Sequence, residues 1–96
     1  MRLSLALTLV AVSLATAQAA SSEPPAGAAA CTGCHPANTG VETPVPRLAG
    51  RNAADIVAAM QAFRSGQTPA TVMDRIAKGF TVEEIQAIAA WYAAQR

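Results

Sequence analysis

Five consecutive residues, Cys31-Thr32-Gly33-Cys34-His35, place two thiols three positions apart and an imidazole directly behind the second. On one turn of helix the thiols project to the same side, with the imidazole beside them. Four chemistries use such a set. A disulfide between Cys31 and Cys34 would close so small a loop that it stabilises little. A thioredoxin-like dithiol wants strands around it, and no segment here alternates with a two-residue period. Zinc would need a fourth ligand; His35 is the one histidine, so an Asp or Glu would have to serve. The remaining chemistry is covalent attachment of haem, for which Cys-x-x-Cys-His in an exported chain is the signal. Each thiol adds to one vinyl group of the porphyrin, and the tether brings the imidazole of His35 beneath the iron as an axial ligand. The pattern favours haem c over the other three.

The start of the chain supports export. Arg2 supplies a positive charge, Leu3 to Ala15 form an apolar run broken by Ser4, Thr8 and Ser13, and Ala17-Gln18-Ala19 offers small residues to a signal peptidase. The expected division is a signal peptide over 1–19, cut between Ala19 and Ala20, and one periplasmic domain over 20–96. An uncleaved anchor is the alternative, but a spanning helix wants roughly 20 predominantly apolar residues and this run is shorter.

The composition of 20–96 explains why a cofactor would help. A domain of this size is near the limit at which an apolar core offsets chain entropy. Its four aromatic residues, Phe63, Phe80, Trp91 and Tyr92, all lie in the second half, and alanine, which buries little area, dominates the rest. Something large and apolar should fill the middle. Without Arg2 the chain carries six Lys/Arg and six Asp/Glu. With no basic stripe, nucleic acid is disfavoured. With no polybasic patch, membrane contact is expected only if the leader stays uncleaved.

The elements that must position the motif read as helices. Ala26 to Cys34 forms a first helix, opened by Pro24 and Pro25 and ended near His35 because Pro36 follows. Residues 36–51, with Pro36, Gly40, Pro44, Pro46 and Gly50, compose a loop. Asn52 caps a second helix with Asp55 in its first turn, and Ile56, Ala59, Met60 and Phe63 form one apolar stripe before Gly66 closes it. Gln67 to Ala70 is a loop containing Pro69, and Val72 to Lys78 makes a short helical turn before Gly79. Thr81-Val82-Glu83-Glu84 is a capping box opening a last helix, whose stripe is Ile85, Ile88, Ala89 and Tyr92, with Trp91 beside it. The fold class is all-α, three to four helices around one cofactor. For the second axial ligand the residues leave Met60, on the apolar stripe where methionine usually fills a core, and Met73, between two helices after Pro69.

With these motifs in place the chain resembles the class I cytochrome c family. It is similar to small bacterial monohaem cytochromes and to the cytochrome subunit of flavocytochrome c sulfide dehydrogenase. The matching stretches are Ala28 to His35, Pro46-Arg47-Leu48-Ala49-Gly50, Phe63-Arg64-Ser65-Gly66 and Met73 through Tyr92. Pro36-Ala37-Asn38 stands where the family usually has a glycine-rich turn. The resemblance implies His35 and Met73 as the two iron ligands, Cys31 and Cys34 as the haem attachment points, and a Pro46 carbonyl that accepts the other ring N–H of His35. It also implies that Leu48 packs on the haem face and that Gly27 lets the first and last helices cross closely. Trp91 and Tyr92 are expected to pack in the core or at the haem edge.

The function implied is single-electron transfer between redox proteins of the periplasm, among them a flavoprotein dehydrogenase or a terminal oxidase, through His/Met-ligated haem rather than by enzymic turnover. Six-coordinate iron leaves no position for substrate, and methionine ligation raises the reduction potential. A haem enzyme or gas-binding sensor with an open sixth position is the alternative, as is a haem-free thiol module.

Overall fold

The computed structural model describes residues 23–95, so the expected signal peptide over 1–19 lies outside the described residues. Among these residues there are four helices and no strand: α1 (Ala29–Thr32), α2 (Ala53–Ser65), α3 (Met73–Ala77) and α4 (Val82–Ala93). The all-α expectation holds. None of the described helices is long and apolar enough to cross a membrane.

The two long helices begin and end where local chemistry dictates. The Asn52 side chain accepts from Ala54 and Asp55 N–H at 2.9 and 3.3 Å, satisfying two donors that the first turn of α2 leaves open. At the other end Gly66 adopts a left-handed φ of 77° and its N–H returns to the Phe63 carbonyl. Thr81 Oγ1 accepts from Glu84 N–H at 3.1 Å, forming the hydroxyl half of the expected box at the start of α4. α2 packs against both α3 and α4.

The first helix is shorter than the sequence suggested. Gly27 takes φ of 86°, a left-handed conformation outside the helical region, so α1 starts only after it. The turn nevertheless continues hydrogen-bonded beyond Thr32, His35 N–H donating to the Cys31 carbonyl at 2.8 Å. The expected close crossing of first and last helices is therefore made by the segment just before α1. A Cβ on Gly27 would stand 2.7 Å from Phe80 Cε1 and 3.7 Å from Ile88 Cδ1. Ala28, fully buried, joins Ile56, Ile88, Ala89 and Tyr92 in the core cluster.

That core is thin. Eight apolar residues are buried among those described, and four of them, Ala28, Ala49, Ala77 and Ala89, are alanines. Only Tyr92 and Ile85 are large side chains with essentially no exposure. The apolar stripe of α2 is not matched by protein on its other side: Ile56 is buried, but Ala59, Met60 and Phe63 are only half-buried.

Candidate haem site

The stripe of α2 faces a cavity of about 510 Å³. Ile56, Ala59, Met60 and Phe63 of α2 line it from one side, and Ile85 and Ile88 of α4 contribute more apolar surface. Cys31, Cys34 and His35 close another side, Val45, Pro46 and Leu48 a third, and the segment from Pro69 to Met73 a fourth. Its volume falls within the roughly 300–1,000 Å³ range of small-molecule and cofactor pockets. All six residues expected to act on the cofactor or its iron, Cys31, Cys34, His35, Pro46, Leu48 and Met73, are brought together around this one space.

Both thiols are free, Cys34 exposed and Cys31 half-buried. Burial pushes the Cys31 thiol above its ordinary pKa. No group of three or more His, Cys, Asp or Glu side chains that could hold an ion forms among the described residues.

His35 is held from two directions. Its ring Nδ1 lies 2.7 Å from the Pro46 carbonyl. A carbonyl oxygen only accepts, so Nδ1 is the donor, which in a neutral imidazole leaves the lone pair on Nε2. Its backbone carbonyl accepts the Tyr92 O–H at 2.6 Å. Tyr92 is fully buried in α4, its ring edge-on to Trp91 at 4.9 Å between centroids, and burial, with Cys31 nearby, pushes its phenol up to about 12. The loop carrying Pro46 and Leu48 is fastened at its end, where Gly50 N–H donates to the Tyr92 carbonyl at 2.9 Å. Earlier in the loop Arg47 donates to the Thr39 carbonyl at 2.5 Å.

The short helical turn expected over Val72 to Lys78 is α3, which Met73 opens, following Val72, which makes no side-chain cap. Met60 and Met73 both line the cavity and both are half-buried. Arg51, which the sequence did not single out, is the one residue in the lining with a charged side chain. Its only sequence signal was its place immediately after the Pro46–Gly50 run. The contact from Tyr92 to His35 had no local signal, because it joins positions 57 apart.

No family model matches the chain. Among curated proteins it is 37% identical over 62 residues to a cytochrome subunit of sulfide dehydrogenase from Chlorobaculum tepidum, covering 65% of this chain and 56% of that protein. The sequence comparison supports the small c-type cytochrome family. It is also 37% identical over 67 residues to a thiosulfate dehydrogenase electron acceptor from Stutzerimonas stutzeri, covering 66% of this chain and 31% of that one. The chain thus spans about half the length of the first of these relatives and about a third of the second.

The residues present fit a covalently attached haem. A large apolar space abuts two unbridged thiols, a tautomer-fixed imidazole, thioether sulfur and a single cationic side chain. Each of these matches a chemically distinct part of that group.

Proposed function

We propose that the chain is an exported monohaem c-type cytochrome that transfers single electrons between redox proteins in the periplasm. The observation that carries this reading is the apolar cavity bordered at once by Cys31, Cys34, His35 and Met73, with His35 Nδ1 already engaged by Pro46. When bound, haem c supplies one-electron cycling of iron between its ferric and ferrous states. Cys31 and Cys34 would hold it covalently through their sulfurs, and His35 Nε2 and Met73 Sδ would be the side-chain atoms that ligate its iron. The Pro46 carbonyl orients the imidazole and raises its basicity. Leu48, Ile56, Ile85 and Ile88 exclude water and lower the local dielectric, and Arg51 offers a cation to a propionate.

The relatives' names, one a dehydrogenase's cytochrome subunit and the other a dehydrogenase's electron acceptor, support a dehydrogenase as electron donor. Such a protein carries electrons and performs no turnover of its own. The test is expression in a host with c-type maturation, followed by a visible spectrum and exposure of the reduced protein to carbon monoxide. Haem colour that resists acid–acetone extraction, with no carbon monoxide shift, is expected. A shift in the wild type would mean an open sixth position and replace the carrier by a haem enzyme or gas sensor.

A further inference from the structure

A buried phenol must find a hydrogen-bond partner, and in an apolar core phenylalanine would fill nearly the same volume without that demand. Tyr92 meets the demand in an informative place. Its O–H donates to the backbone carbonyl of His35 at 2.6 Å. Its own backbone carbonyl accepts from Gly50 N–H at 2.9 Å, and Gly50 ends the short loop whose Pro46 carbonyl lies 2.7 Å from the His35 ring. Both restraints on His35, one on its backbone and one on its imidazole, thus run to the same residue of α4. A Cβ on Gly50 would sit 3.3 Å from the Gln95 carbonyl, so the loop is seated closely on the end of that helix.

We propose that Tyr92 is a positioning residue for His35, setting the orientation and donor strength of the imidazole toward the iron. This rests on the haem reading above. The phenol holds the His35 carbonyl in place; released, the backbone at 35 shifts, the ring's hydrogen bond to Pro46 lengthens, and the imidazole becomes a poorer donor. Ferric iron is the form that benefits more from a basic axial imidazole. Loss of the hydroxyl therefore raises the reduction potential.

The test uses the matured holoprotein. Tyr92→Phe keeps the ring and deletes the hydroxyl. Val57→Ala, which thins the same core cluster from a position outside the cavity lining, serves as the stability control. Tyr92→Phe is expected to raise the potential and alter the ferric electron paramagnetic resonance g-values. Val57→Ala is expected to lower Tm while leaving both unchanged. The chain has a single tyrosine, so biosynthetic 3-fluorotyrosine labels this site alone. As a stronger donor of almost the same size, it is expected to shift the potential downward.

If Tyr92→Phe lowers Tm as Val57→Ala does but leaves potential and g-values at wild-type values, Tyr92 is only a core residue. If Tyr92→Phe fails to mature, the fluorotyrosine protein decides, and an unchanged potential there overturns the proposal. A wild type that carries no covalent haem overturns the functional reading and this inference together. Covalent haem with an unresponsive Tyr92 overturns this inference alone.

Discussion

At the scale of single residues, the two cavity methionines and the buried tyrosine offer the sharpest tests. Met60 and Met73 border the same space, but Met73 opens α3 where the backbone turns, whereas Met60 belongs to a continuous apolar stripe. Met73→Ala is expected to open the iron, lower the reduction potential and let the reduced protein bind carbon monoxide. Met60→Leu is expected to keep the spectrum and cost about 1 kcal/mol of stability, as volume-conserving core swaps do. The reverse pattern in the spectra would exchange their roles. Tyr92 sets a pH dependence. Burial raises its folded-state value from 10.0 to about 12, so the neutral phenol is favoured in the native state. Its contribution is complete below about pH 10 and is lost as pH rises from about 10 to about 12. Denaturant unfolding of wild type and Tyr92→Phe on either side of the window measures it: the stability difference between the two should shrink at the alkaline end.

At the scale of elements, the fold depends on how the segment before α1 meets the Phe80 turn and α4. Gly27 and Gly66 both have left-handed φ, 86° and 77°, so alanine at either incurs the same backbone strain of roughly 1–2 kcal/mol. They differ in surroundings. The added methyl at 66 meets nothing within 4 Å, while at 27 it would lie 2.7 Å from the Phe80 ring. Gly27→Ala should therefore be the more destabilising by at least about 1 kcal/mol, with Tm of the holoprotein as the measurement. Equal losses would mean that Phe80 moves aside freely and that this contact does not fix α1. The same contact explains why α1 is short: a residue that must pass beneath an aromatic ring in a left-handed conformation cannot also be the second residue of a helix.

At the scale of the whole molecule, the protein core is incomplete without an occupant. With half of the buried apolar residues among those described alanine and the stripe of α2 facing a cavity of about 510 Å³, the described residues build only a thin core of their own. The chain with both cysteines replaced, Cys31→Ala with Cys34→Ala, is expected to lose covalent haem and most of its helical circular dichroism, and to give poorly dispersed amide resonances. A cooperative unfolding transition in that variant would show that the helices suffice by themselves. In the wild type, colour should remain with the polypeptide through denaturing electrophoresis. Colour that runs off the chain would contradict thioether attachment.

The sequence by itself determined the local features, because each depends on neighbours within a turn or two of chain. These include the thiol–thiol–imidazole spacing from Cys31 to His35, the Asn52 and Thr81 caps, the Gly66 terminus, and the stripes of α2 and α4. Motif and family resemblance together named Cys31, Cys34, His35, Pro46, Leu48 and Met73, and the fold brings all six to the border of one cavity. What those residues share was decided only in three dimensions. The stripe of α2 looked like ordinary core, and only the packing of α2 against α3 and α4 left it facing a cavity. Gly27 looked like a helix residue until the Phe80 ring lay over it. Arg51 entered the lining, and Tyr92 reached the His35 carbonyl across 57 positions, through contacts that no periodicity encodes. Local hydrogen bonding and side-chain period are written in adjacent residues; the partner of a buried hydroxyl is set by which helices the collapsed chain brings together.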